Sequence, residues 1–237
     1  MREPKHDKER QDFQLERFTF FTDGVCAICI TLLVIELKVP EFEIPTDSAL
    51  WQSLSHMSLR FLGFVISFGI VGHYWSVHHR IFGYVVKYTT GLLWLNLAFL
   101  FTVVLLPFSS GFLGQYSSYQ NLKLPYAVYT FNMVLTGFMN CWLWLYVSNP
   151  NRKMLSRQIS KARIKLGLYR SLVIPVVFIV SFLVSLVLPL TSKLILLLIP
   201  ILLHWGMKGL EKRAEVEEIQ ERKINVESKV SIPHTGG

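Results

Sequence analysis

Apolar residues fall into long runs along this chain rather than alternating with polar ones, and the runs are separated by short polar stretches. That pattern predicts helices in lipid, not half-buried strands. The first run covers about Phe18–Val39 and is closed by Pro40. Residues 41–60 read as a loop leading into a second helix over Leu59–Trp75, where Gly63, Gly69 and Gly72 are available for close packing. HHRIFGYVVKY reads as a short connector. A third span follows over Gly91–Phe112, containing Trp94, Asn96 and Pro107, and a fourth over Tyr126–Val147. After the longest polar connector come a fifth span, Ser171–Leu190, a TSK break, and a sixth, Leu194–Met207. The expected class is an all-α membrane protein with six transmembrane helices. Residues 17–209 form one body, 1–16 a cytoplasmic lead-in, and 210–237 a charged cytoplasmic tail with a helical start.

Charge sharpens the topology. Only 17% of residues are charged, against roughly 25% in an ordinary soluble domain. The net charge of +8 would suit nucleic acid if it were clustered. Instead the Lys and Arg sit in alternate loops. With both termini inside, twenty fall on the cytoplasmic side and Lys38, Arg60, Lys123 and Lys193 on the other. This is a multi-pass integral membrane protein with cytoplasmic termini, and no nucleic-acid partner is expected. The cationic run from Arg152 to Arg170 suits anionic inner-leaflet lipid. Cys26, Cys29 and Cys141 all lie in apolar spans, so no extracellular disulfide framework is indicated.

Several motifs carry chemistry on paper. His73, His78 and His79 have a spacing reminiscent of membrane di-iron enzymes, but the other four His are scattered. A polar cluster at a helix end accounts for them more simply, and no metal or other cofactor is expected. Cys26 and Cys29 form C-x-x-C, which inside a membrane helix reads as small apolar packing. Asn96 needs a hydrogen-bond partner across helices. No span carries Arg at every third position, no TVGYG filter occurs, and no nucleotide-binding or hydrolase signature appears.

The first span is unusual in starting at Arg17 and holding Asp23. An acid inside a span costs about 2.5–3.5 kcal/mol and is a candidate functional residue by default. At about 100° per residue, however, Asp23 lies away from the stripe formed by Gly24, Ile28, Thr31 and Ile35. Asp23 belongs to a polar network holding helices together, with Asn96, His78, His79 and Trp75 as candidate partners. The stripe itself has two readings. It is a packing face, as every helix has one, or it lines a pathway with Ile28 and Ile35 as dewetting constrictions and Thr31 as a polar rung. Beyond it, Glu36, Glu41, Glu43 and Asp47 surround Lys38, an acidic mouth that would concentrate cations.

Arg17-x-x-x-Phe21-Thr22-Asp23 resembles the R-x-x-x-F-S-D signature of the transmembrane protein 175 family, with Thr22 keeping the Ser hydroxyl. GVCAICITLLVIELKVP, WSVHHRIF and LLWLNLAFLFTVVLLPF resemble that family's first, second and third helix segments. The resemblance implies a potassium-selective leak-type channel of unusual plan, no enzyme, and a homotetramer in the plasma membrane of a prokaryote. It also implies that the first helix lines the central pore. Ile28, Thr31 and Ile35 would form the constriction and hydroxyl ring, with Gly24 and Leu32 beside them and potassium as the permeant ion. The signature and packing set would be Arg17, Phe21, Thr22, Asp23, Trp75, His78, His79 and Asn96. The rival readings are a proton-coupled transporter relaying through Asp23 and the His cluster, and a histidine-box enzyme.

Overall fold

A computed structural model describes residues 4–38, 43–116, 119, 121–156, 159–188, 192 and 194–230, leaving out the side chains of 4–8, 59 and 221–230. Seven α-helices occur among these residues. They are α1 (Pro4–Ile35), α2 (Asp47–His56), α3 (Ser58–Phe82), α4 (Thr90–Gln115), α5 (Leu124–Ser148), α6 (Lys161–Ser185) and α7 (Leu198–Val230), with a 3-10 turn at Pro150–Arg152. All-helical class therefore holds. Pro40, Glu41 and Lys193, invoked for the first span's end, the acidic mouth and the TSK break, lie outside the described residues.

The element boundaries differ from the hydropathy reading in instructive ways. Helix α1 begins at Pro4 rather than near Phe18, so the polar lead-in is helical too. The stretch assigned to a loop contains α2, started by Thr46, whose hydroxyl accepts the Ala49 N–H at 3.2 Å. Helix α3 does not stop at Trp75 but continues to Phe82, which puts His78 and His79 inside a helix. Helix α6 starts at Lys161, capped by Ser160 accepting the Arg163 N–H at 3.2 Å, so the end of the polar connector is helical. The last apolar run and the charged tail are one helix, α7.

Four described segments are long and apolar enough to cross a membrane: Glu9–Ile35, Arg60–Phe82, Thr90–Gln115 and Lys161–Ser185. The helices pack in a continuous series. Helix α1 lies against α3 and α4, α4 against α5, α5 against α6, and α6 against α7. One apolar cluster joins α1 to α6 through Cys26, Cys29 and Leu33 of α1, Phe99 and Val103 of α4, Met133 of α5 and Phe178 of α6. A second gathers Phe18, Val77, Phe82, Leu95, Leu143 and Trp144 at one end of the bundle. There, the segments after α3 and α5 exchange backbone hydrogen bonds, Val86 N–H to Met154 O at 2.8 Å and Ser156 N–H to Tyr84 O at 2.9 Å.

Within the chain, the glycines of α3 meet no close neighbour. A β-carbon on Gly63, Gly69 or Gly72 would meet nothing within 4 Å. One tight backbone approach is between α5 and α6, where a β-carbon on Gly137 would collide with Pro175 Cγ and fall 2.8 Å from Ser171 O. Small residues at a crossing let helix backbones approach. One turn along, the Ser171 hydroxyl donates to Asn140 Oδ1 at 2.7 Å across the same seam.

Candidate functional site

Helix α1 presents two unlike faces. Toward the bundle it turns Phe18, Thr22, Cys26, Cys29 and Leu33, a recurrence of three and four residues that keeps them on one side. Cys26, Cys29 and Leu33 are each only 1% exposed, so the cysteines fill space against α4 as small apolar groups. Away from the bundle, Ile28 is 59% exposed, Ile35 66% and Leu32 40%, and Gly24 and Thr31 are exposed as well. The Thr31 hydroxyl donates to Ile28 O at 2.8 Å, which commits its proton to the helix and leaves oxygen lone pairs facing outward.

Behind the buried face sits a chain of hydrogen bonds linking three helices. His78 Nε2 lies 2.7 Å from Asn96 Oδ1, and the Asn96 amide donates to Thr22 Oγ1 at 2.9 Å. The Thr22 hydroxyl in turn donates to Phe18 O at 3.1 Å. All three side chains are buried. The imidazole is stacked between Phe82 and Phe99, with ring centroids 4.3 and 5.4 Å away. Since His78 donates from α3, Asn96 relays on α4 and Thr22 receives on α1, the network fixes the rotation of α1 about its axis.

Asp23 stands beside this chain rather than in it. Its Oδ1 accepts the Trp75 indole N–H at 2.8 Å, giving α1 a second polar tie to α3. The His79 ring is 5.7 Å from that indole. Of the four partners considered for Asp23, the structure gives it Trp75, and Asn96 goes to His78 and Thr22. Arg17 and Phe21 do not join the network within one chain. Arg17 is exposed and lies over the Phe13 ring at 5.7 Å, and Phe21 is 53% exposed. Among the described residues no group of three or more His, Cys, Asp or Glu could hold a metal ion.

The hydropathy reading missed a latch between α6 and α7, beside the C-terminal end of α3. Arg163 Nε and Nη2 donate to the Glu218 carboxylate at 2.9 and 3.0 Å, a two-pronged pair. Arg170 donates to Glu211, which also lies 3.9 Å from Arg80 of α3. The two arginines are seven residues apart on α6 and the two glutamates seven apart on α7, so antiparallel helices bring both pairs into register. Two cations assigned to lipid are therefore paired within the chain, and Arg152 lies over the Tyr146 ring at 3.7 Å. The signal was present as R-x6-R and E-x6-E, but nothing local joins segments 55 residues apart.

Comparison with known proteins bears on this geometry. Residues 17–107 match the family described as endosomal/lysosomal potassium channel TMEM175. A potassium channel of Chryseobacterium sp. is 39% identical over 121 residues, 51% of this chain and 58% of that protein. One of Chamaesiphon minutus is 30% identical over 141 residues, 60% of this chain and 70% of that protein. The human endosomal/lysosomal proton channel TMEM175 is 37% identical over 87 residues, 34% of this chain and 17% of that protein. In fold, the chain is similar to the crystal structure of a lysosomal potassium-selective channel TMEM175 homolog from Chamaesiphon minutus. That likeness has a TM-score of 0.67 at 24% identity and covers 82% of this chain and 97% of that one.

Proposed function

This chain belongs to the TMEM175 family, and from that premise we propose that it is a leak-type potassium channel whose path runs along the uncovered stripe of α1. In this reading the chain crosses the membrane six times, with α5 and the apolar start of α7 joining the four segments already long and apolar enough to span. Residues 17–209 form the channel body between cytoplasmic termini. Four copies surround an axial pore in a prokaryotic plasma membrane. Ile28 and Ile35 narrow and dewet the pore, and the Thr31 ring offers oxygens to an ion that has shed part of its water. Gly24 and Leu32 flank the path. Neither a cofactor nor a metal is needed, since potassium is the permeant ion and the chain is no enzyme.

The observation that carries this reading is the contrast within α1. The helix is held in a fixed rotation by Trp75–Asp23 and His78–Asn96–Thr22, and it leaves an apolar stripe with one hydroxyl uncovered by its own chain. Glu36 and Lys38, just past the end of α1, and Glu43, ahead of α2, are exposed, and in this reading the two acids supply a cation-attracting approach. A proton path is the second reading, favoured by the similarity to the human endosomal/lysosomal proton channel. Against a relay through Asp23 and His78 stands the hydrogen-bond geometry: Asp23 binds an indole N–H, and the His78 ring is packed between two phenyl rings.

Purified protein in liposomes separates the two. Potassium-driven flux that persists when no proton gradient is applied is the expected result. Flux that requires a proton gradient, or proton movement that outruns potassium, would replace the potassium channel with the second reading.

A further inference from the structure

Beside the α6–α7 latch lies an open groove of about 510 Å³, lined by Lys161 and Lys165 of α6 and by Leu210, Arg213, Glu217 and Gln220 of α7. Lys161 and Lys165 are one turn apart on one face of α6, and Arg213, Glu217 and Gln220 recur at helical spacing on α7. Lys161, Lys165 and Arg213 are exposed, and none has a hydrogen bond or ion pair among the described residues. The single acid, Glu217, accepts the Ala162 N–H at 3.1 Å and so answers the positive end of α6. The groove thus keeps an excess of positive charge. The Arg163–Glu218 pair beside it holds the two helices in place against the repulsion of its three cations.

Its position selects the anion. The groove opens where α7 passes from the apolar segment Leu198–Met207 to its charged part, and where α6 passes from Lys161 and Lys165 to its buried residues from Leu166 onward. In the reading that the helical body sits in a bilayer, the groove lies on the side where both helices leave it. We propose that this groove seats the phosphate of an anionic phospholipid headgroup, with Lys161, Lys165 and Arg213 as its cationic contacts and the Gln220 amide as a further donor. Bound there, the lipid bridges α6 and α7 and reinforces the latch. Lys161 and Lys165 belong to the cationic run from Arg152 to Arg170 and Arg213 to the tail, so the site narrows that run's expected lipid contact to one groove between α6 and α7. It rests on the reading that the helical body sits in a bilayer, and not on which ion passes.

The test uses the full chain in detergent, titrated separately with phosphatidylglycerol, phosphatidylcholine and inorganic phosphate, reading the melting temperature and the number of lipids retained by native mass spectrometry. The triple variant K161Q/K165Q/R213Q is compared with K153Q/K208Q/K212Q, which removes equal charge elsewhere. Phosphatidylglycerol should stabilise the wild type, and the groove variant should weaken its apparent affinity roughly hundredfold, at about fivefold per cation near a bilayer surface. The control variant should stay within about threefold of wild type. Equal stabilisation by phosphatidylcholine, equal losses in both variants, or an unchanged groove variant would overturn the proposal. So would full occupancy by inorganic phosphate that blocks phosphatidylglycerol, which would assign the groove to a soluble anion. The groove positions are exposed, so the unliganded melting temperature should not fall. Potassium flux from the same preparations, measured separately, tells failure of the lipid site from failure of the channel reading.

Discussion

The two faces of α1 are built from much the same residue types, yet they meet opposite surroundings. Leu33 and Cys29 are almost wholly enclosed by α3, α4 and their neighbours, whereas Ile28, Leu32 and Ile35, on adjacent turns of the same helix, stand uncovered. Hydropathy does not distinguish them, because Leu and Ile carry the same value to either side. What distinguishes them is polar placement. Thr22 lies on the enclosed side with Asn96 and His78 to bond it, and Asp23 reaches Trp75 of α3. Those two anchors set the rotation of α1, and the rotation decides which Ile residues are left over. The teaching is that the polar residues of a membrane helix can act by aiming its apolar ones.

This comparison can be broken by substitutions on each face. The largest effect should come from Leu33→Ala, which empties a fully enclosed site and should cost about 2–5 kcal/mol in denaturation of the detergent-solubilised protein. Ile35→Ala, two residues on, should change the same measurement by no more than about 0.5 kcal/mol for a dissociated chain. Similar losses from both would mean that the two faces are not distinct. Next in size, Asn96→Ala leaves Thr22 and His78 without their shared partner and should cost about 1–3 kcal/mol. Adding Thr22→Ala to it should cost less than the sum of the two single changes, because one network is being removed twice.

Smaller again is Asp23→Asn. The amide oxygen can still accept the Trp75 N–H, so only the charge-assisted part of the bond is lost, about 1 kcal/mol. Trp75→Phe should match or exceed it in the same melting assay, and an Asp23→Asn loss well beyond that of Trp75→Phe would place the carboxylate in a contact other than this one. On the uncovered face, Ile28→Ala should leave melting nearly unchanged and raise potassium flux several-fold by widening a dewetted constriction. Unchanged flux would remove Ile28 from the path.

How far these features were legible in the sequence follows the same physics. The all-helical class, the helix centres and the separation of Asp23 from the Ile28–Ile35 stripe all follow from periods of 3.6 and from runs of apolar residues. Helix ends were another matter. His78, His79 and Arg80 are polar, so hydropathy ends α3 before them, but His78 is buried because Asn96 and two phenyl rings take it in. That compensation is tertiary and has no local trace. The missed start of α2 did have one, in Thr46 three residues before Ala49. The latch of Arg163 and Arg170 on Glu218 and Glu211 escaped because it joins residues more than 40 apart, and a cationic run by itself reads as a lipid anchor.

Among these tests one bears on the proposed ion path itself. Thr31→Ala keeps the helix and the apolar stripe and removes only the outward oxygen. Potassium and sodium fluxes into liposomes should then converge, with the preference for potassium falling roughly tenfold, equivalent to about 1.4 kcal/mol, while the melting temperature stays where it was. A Thr31→Ala protein that melts normally and retains the full potassium preference would contradict the assignment of Thr31 to the path.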